Sequence, residues 1–481
     1  MAGRGNGYTG DTKTGQWLEM VRSVDRQARF QRAKGYLMED RSGGPRPTLA
    51  VRDGVAIIVG VVIGAGIFRT PSLVASNVGS EAAFLGVWIA GGLISLIGAL
   101  CYAELASTYP RTGGDYHYLT RAFGASAGFL FAWARLTVIQ TGSIAVQAFL
   151  IGDYASTLLP LGEYSASLYA GLVVAILTAL NISGIRQGKW TQNALSGLVL
   201  LGLMFVVMAG LRPAGAPPVE EAQAAGPQAA VGLAMVFVLL TYGGWNEAAY
   251  LAAEVRGGRR AIARVLLWGT FLVTAIYVLA NLAFLRGLGL SGMAGSEVVA
   301  ADLMRRVAGE QGAALISILI VVAAFGTINA TILTGARTTY AWGKDYPLFR
   351  FLGHWKDGAE TPANALLVQG SIALLLIGLG TATRQGFSTM VEYTAPVFWL
   401  FFLMVGLSLL TLRRREPEVP RPFPVPLYPL TPILFCLVCA YMLRASLAYT
   451  GVGALAGVLV LLAGVPVLLL ANARQPSPQE A

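Results

Sequence analysis

Two apolar stretches carry the residues best placed to do chemistry, because each is interrupted where a regular helix is expected. The run from Val59 to Phe68 holds Gly60, Gly64 and Gly66, and the run from Phe237 to Glu247 holds Gly243 and Gly244. Glycine lets the backbone leave the helix. In an apolar setting, unwound backbone is tolerated only where protein buries it or a water-filled cavity solvates it. At the first break the N–H groups of Ala65, Gly66 and Ile67 lose their helical partners and stand at the positive end of the following half-helix, which suits a carboxylate. The carbonyl of Ile63, with those of Leu240, Thr241 and Gly243 at the second break, suits the donors of an ammonium group. Ala65 is small and has no hydroxyl, which leaves recognition there to main chain. Tyr242 and Trp245 are open to two readings, aromatic packing or a role in gating and side-chain selection. Asn246 either bonds freed carbonyls or meets a ligand.

Other polar residues fall within or beside apolar runs. Glu247 follows the second break, where a carboxylate either favours the half-helix dipole or titrates a proton or meets a polar ligand. Arg69 and Glu392 are expected on the same side of the bundle, as a gate above the central site or as two solvated interfacial groups. Thr327, Asn329 and Thr331, with the carbonyls of Gly60 and Ile63, form a candidate sodium site, although hydroxyls in apolar helices also bond helix carbonyls. Glu104 and Arg135 are expected to neutralise each other structurally. His117 and His354 read as surface groups without metal-ligand spacing, and Cys101, Cys436 and Cys439 as packing residues without a disulfide framework.

The elements that position these residues are membrane spans. Of 481 residues, 55% are hydrophobic and 12% charged, with a mean hydropathy of +0.61; this excludes an ordinary soluble domain. Apolar stretches of about twenty residues give twelve spans, at 53–77, 83–109, 124–155, 166–184, 191–211, 230–254, 261–285, 312–341, 364–380, 389–412, 429–449 and 451–471. The polar segment 1–50 reads as a cytoplasmic tail with no signal peptide, and 472–481 as a second tail. The net charge of +10 gathers in alternate loops, such as that containing Arg256, Arg259, Arg260 and Arg264, and so sets topology rather than nucleic-acid binding. It places both termini in the cytoplasm. The two interrupted spans hold corresponding positions in successive blocks of five, about 51–211 and 230–412. That is the mark of an inverted repeat.

At these residues the chain resembles the amino acid–polyamine–organocation transporter family, particularly bacterial relatives of the L-type amino acid exchangers. The matching pieces are Gly64-Ala65-Gly66-Ile67-Phe68, Tyr102-Ala103-Glu104-Leu105, Pro110-Arg111-Thr112-Gly113-Gly114-Asp115-Tyr116, Tyr242-Gly243-Gly244-Trp245-Asn246, Glu254-Val255-Arg256 and Arg421-Pro422-Phe423. The resemblance implies an all-α membrane fold of twelve helices, a leucine-transporter-type five-plus-five inverted repeat with two added helices at about 429–471, and alternating access around a central site. Two departures stand out: Glu247 replaces the apolar or aromatic residue of many L-type members, and Val199 stands where several sodium-independent members carry a lysine. The cysteine through which eukaryotic members attach a glycoprotein is missing from the loop 157–165, so no disulfide-linked heavy chain is expected.

The expectation is a multi-pass carrier of the plasma membrane that moves small-molecule amino acids, needs no cofactor or metal, has H+ or Na+ as candidate coupling ions, and meets the lipid bilayer but no nucleic acid. The runner-up substrate is a polyamine or other organic cation. An embedded enzyme would need a Ser/His/Asp set, zinc spacing or a phosphate loop, and a channel would need a pore-lining ring.

Overall fold

A computed structural model describes residues 49–110, 113–184, 189–211, 230–252, 255–258, 260–355, 361–449 and 451–473. Residues 1–48 of the expected amino-terminal tail, residues 474–481 of the other tail, Arg111, Thr112, Glu254 and the connection 212–229 lie outside the described residues.

The described chain is helical apart from one isolated bridge between Leu49 and Val255. In order, the helices are α1 (Val51–Val62), α2 (Thr70–Ala75), α3 (Glu81–Thr108), α4 (Gly114–Phe123), α5 (Ala125–Leu158), α6 (Ser165–Ile182) and α7 (Lys189–Gly210). There follow α8 (Val231–Thr241), α9 (Ala261–Ala294), α10 (Val299–Asp345), α11 (Ala363–Thr383), α12 (Gly386–Arg415), α13 (Leu430–Tyr449) and α14 (Val452–Ala473).

Among the described residues, nine of these are long and apolar enough to cross a membrane. Two segments expected to span are not single helices, and a third, α7, is a continuous helix over Lys189–Gly210. Those at 53–77 and 230–254 are cut short at their glycines, and the stretch of α7 whose side chains are described, Gly197–Gly210, is apolar. Every helix must bury its backbone polar groups internally in lipid, which favours long unbroken helices and makes each interruption conspicuous. Only 28% of the most apolar window of α14 is buried against the rest of the protein. Leu375, Leu201, Met204 and Leu469 likewise project outward, each about two-thirds exposed or more. So large an outward apolar surface suits lipid rather than water.

Inside the bundle, α9 runs along α3 and α1, α10 packs against α5 and α7, and α12 against α13 and α14. The fully buried rings of Trp88 (α3), Tyr242 and Tyr277 (α9) meet at centroid distances of 5.0 to 6.0 Å and tie the second break to α3 and α9.

The expected Glu104–Arg135 pair does not form. Glu104 is 1% exposed near the end of α3 and accepts from Arg413 at the end of α12, from Arg421 at 3.1 Å and from the backbone N–H of Val425 at 2.6 Å. Two guanidinium groups and a main-chain donor satisfy the buried carboxylate, so Glu104 staples the α12–α13 connection to α3. Beside it, Arg121 holds Glu416 with two nitrogens, and the hydroxyl of Tyr109 donates to the same carboxylate at 2.8 Å.

Candidate functional site

The first interruption falls where the glycines predict it. α1 ends at Val62, Ile63 leaves helical geometry with ψ at 69°, and Gly64 is extended. A 3-10 turn over Ala65–Phe68 leads into α2. A 3-10 turn leaves the N–H groups of its first two residues without partners in the turn, and here these belong to Ala65 and Gly66. The Ala65 side chain lies outside what is described.

At the second interruption α8 ends at Thr241, and Gly244 adopts φ 106°, in the left-handed region. A Cβ there would be strained, and it would also stand 3.2 Å from Val61 Cγ1. A 3-10 turn then runs from Trp245 to Leu251.

The two interruptions face each other. Gly244 lies against Val61 and Val62, and a Cβ on Gly66 would stand 3.2 Å from Thr241 Cγ2. Thr241 Oγ1 is 2.7 Å from Thr70 Oγ1 and 2.8 Å from the Phe237 carbonyl, so one hydroxyl chain links α8 to the start of α2. Tyr277, fully buried on α9, donates its hydroxyl to the Val62 carbonyl at 2.6 Å, and the same oxygen lies 3.3 Å from the Thr241 carbonyl. Tyr154 on α5 donates to the Phe68 carbonyl at 2.9 Å. Tyrosine hydroxyls thus add donors to carbonyls at the broken helix ends, that of Val62 also accepting from the Gly64 N–H at 2.7 Å.

These bonds narrow the set of carbonyls open to a ligand. Leu240 accepts from the N–H of Gly243 at 3.0 Å, and the Thr241 carbonyl has Tyr277 beside it. Tyr242 is buried and donates to the Trp88 carbonyl at 3.0 Å. Trp245, 4% exposed, stands edge-on to Tyr102 at 5.1 Å and to Phe402 at 5.7 Å. Both aromatic side chains of the second break are therefore packed into the bundle in this conformation.

The polar residues beyond the second break converge on α4 and α5. α5 contains a π turn over Arg135–Ile139, a local bulge that re-aims side chains and is frequent at functional sites. Tyr393 on α12 donates to the Thr137 carbonyl inside it at 2.8 Å. From the start of the turn Arg135 reaches Glu247, with one nitrogen 3.2 Å from both carboxylate oxygens, and Tyr250, whose hydroxyl is 3.1 Å away. Asn246 donates to Asp115 of α4 at 3.5 Å. Gly114 makes this approach workable: its φ is +47°, and a Cβ would meet the Tyr250 ring at 2.7 Å. Burial pushes the Asp115 carboxyl up to about 7, with the Glu247 charge adding to the rise and the Arg135 charge opposing it. Glu247 thus neither stands alone nor merely caps a turn, since its charge is taken by Arg135. Sequence reasoning missed Asp115, Tyr250 and Tyr277; the Gly113-Gly114 pair before Asp115 was the signal at hand.

The expected Arg69–Glu392 pair does not form either. Arg69 turns to α5 and to the α9–α10 connection, with its Nε 3.8 Å from Asp153, its Nη1 donating to the Ser296 carbonyl at 3.2 Å and its Nη2 3.9 Å from Glu297. Glu392 instead accepts from the N–H of Gly451 at 3.4 Å. Of the candidate sodium ligands, Thr327 stands beside the first break, its methyl nearest to Gly64. Asn329 turns away, its carbonyl accepting from Asn181 of α6 at 2.7 Å, and Thr331 donates to the Thr327 carbonyl. Val199 is buried on α7.

A cavity of ≈350 Å³ lies beside the Arg135 cluster, lined by Tyr116, Arg135, Gln140, Tyr250, Trp342 and Asp345 among others. Gly64 to Ile67 and Leu240 to Trp245 are not among its lining residues.

Residues 51–470 match the amino acid permease family. The chain belongs to that family. It is 31% identical over 461 residues to the large neutral amino acids transporter small subunit 2 of Mus musculus, covering 92% of this chain and 85% of the relative. It is 30% identical over 403 residues to the b(0,+)-type amino acid transporter 1 of the same species (82% and 81% covered), and 28% identical over 437 residues to that of Rattus norvegicus (89% and 88%). These relatives are amino acid transporters and not enzymes, so this permease is a multi-pass transporter of the same family, and its cluster and breaks are to be read as parts of a carrier. Its three cysteines are all free and buried.

Proposed function

We propose that the permease is a secondary active amino acid transporter of the plasma membrane, working by alternating access with substrate held between its two broken spans. The observation that carries this is the direct opposition of the breaks, Gly66 against Thr241 and Gly244 against Val61. In this reading the substrate carboxylate takes the N–H groups of Ala65 and Gly66, and its ammonium takes the carbonyls of Ile63 and Gly243, since those of Leu240 and Thr241 have protein donors nearby. Twelve spans follow if each interrupted segment crosses as two half-helices and α7 crosses whole, giving two inverted blocks of five and two added helices.

Charge bias puts both termini, the Arg135 cluster and the ≈350 Å³ cavity on the cytoplasmic side, and the Arg69 cluster on the other. With Arg69 bound to Asp153 and Ser296, this is a conformation closed outward. Free, buried cysteines support function without a disulfide-linked heavy chain. The bonds of Asn329 and Thr331 favour a carrier without a sodium ion between α1 and α10. Counterflow of labelled amino acids in proteoliposomes tests the reading. Exchange that saturates with substrate supports a carrier, and unsaturable ion current points to a channel.

A further inference from the structure

We propose that the cluster of Asp115, Glu247 and Arg135 is a binding site for one proton, and that Asp115, buried within it, is the group that holds it. The argument is first one of charge. Among the described residues, two carboxylates share one guanidinium, and Glu247 has taken it with both oxygens at 3.2 Å. Asp115 is 4% exposed. Its Oδ2 accepts from the Asn246 amide at 3.5 Å, its Oδ1 is buried without a hydrogen-bond partner of ordinary geometry among the described residues, and the Tyr102 hydroxyl is a further donor beside the carboxyl. An ionised carboxylate so placed would leave a second negative charge uncompensated beside the first, which burial and like charge both oppose. A neutral carboxyl removes that charge, and its shift to about 7 agrees.

The other groups around Asp115 are mainly hydroxyls, and that of Tyr102 opposes the rise by hydrogen bonding without cancelling it. From α3 comes the Tyr102 hydroxyl, from the Trp245–Leu251 turn that of Tyr250, and from α4 itself Tyr118 and His117, the last ring 6.5 Å from Tyr109 and 6.3 Å from Tyr118. The Ala125–Ala134 part of α5, packed on α4, has no titratable residue. From the end of α12, Arg415 donates to the Ala122 carbonyl and Arg121 pairs with Glu416, at the far end of α4. The cavity touches Gly113, Arg135 and Tyr250 and gives a proton a route to the cluster. Resting on the transport reading, the consequence is mechanical. When Asp115 loses its proton it competes with Glu247 for Arg135, so protonation biases the contact between the segment after the second break and α5.

Infrared difference spectroscopy of the purified full-length protein, titrated from about pH 5 to 9, reads the protonated carboxyl directly. The native protein should lose one carboxyl band with a midpoint near neutrality, and Asp115→Asn should lack that band. Glu247→Gln should keep it but move its midpoint to lower pH, because Arg135 is then free to pair with Asp115. A band that persists unchanged in Asp115→Asn overturns the proposal, as does one abolished by Glu247→Gln. If Asp115→Asn does not fold, the direction of the Glu247→Gln shift decides. Counterflow of labelled leucine is read separately: lost pH dependence in Asp115→Asn extends the site to transport. Failure of the native protein to exchange any amino acid strikes at the transport reading and leaves the titration standing.

Discussion

The hydroxyl of Tyr277 sits between the two carbonyls that the broken helices expose, 2.6 Å from Val62 and 3.3 Å from Thr241. Replacing it with phenylalanine keeps the ring in the Trp88–Tyr242 cluster and removes only the donor. The Val62 carbonyl keeps the Gly64 N–H at 2.7 Å, so Tyr277→Phe removes one buried hydrogen bond worth about 0.5–1.5 kcal/mol and should lower the thermal midpoint of the purified protein measurably, while Tyr441→Phe, on the half-exposed face of α13, should not. Asp115 sets a pH dependence whose sign follows from its upward shift. Between the ordinary aspartate value of about 3.9 and the folded value of about 7, the folded state binds more protons than the unfolded. Stability therefore declines as pH rises through that window and levels off above it. Thermal midpoints recorded across pH should show this decline in the native protein and lose it in Asp115→Asn. Neither role was legible from residue type, because a tyrosine in an apolar helix and an aspartate in the first turn of a short helix are individually commonplace.

At the scale of elements, the interruptions were legible and the charge pairings were not. Paired glycines alone do not announce a break, since Gly91 and Gly92 lie within unbroken α3 and admit Val238 and Thr274; the matching positions of the two interrupted spans did, and both breaks lie where Gly64 and Gly244 place them. Pairings depend on which helix faces pack, and the partners are far apart in the chain: 112 residues for Arg135 and Glu247, 309 for Arg413 and Glu104. Arg69 shows the consequence, since Asp153 and Glu297 lie on elements whose placement no local pattern gives. Gly244→Ala forces a left-handed alanine, worth about 1–2 kcal/mol, against Val61, and should abolish amino acid binding while the helical content stays. If Arg69–Asp153 latches the outer side, Arg69→Ala and Asp153→Asn should each slow counterflow about tenfold, the effect of ~1.4 kcal/mol. The exchange Arg69→Asp with Asp153→Arg should restore part of it, and Glu392→Gln should stay near native. Loss on Glu392→Gln with no rescue by the swap would return the latch to Glu392.

For the whole molecule, composition alone excluded a soluble domain, and the motifs from Gly64 to Phe68 and from Tyr242 to Asn246 pointed to the family that residues 51–470 match. The span count was harder to read, because a span broken at its centre is two short helices by geometry and one crossing by topology. Selectivity was not legible at all, since it depends on how α5, α10 and α12 pack around the breaks.

The central claim is that main-chain donors at the first break bind a carboxylate. The direct measurement is competition, at equilibrium on purified protein, between the amino acid that most raises its thermal midpoint and the amine left by decarboxylating that amino acid. Hydrogen bonds to a charged group contribute about 1.5–3 kcal/mol, so the amine should bind about ten- to a hundredfold more weakly. Equal or tighter binding of the amine would contradict the account and favour an organic-cation carrier.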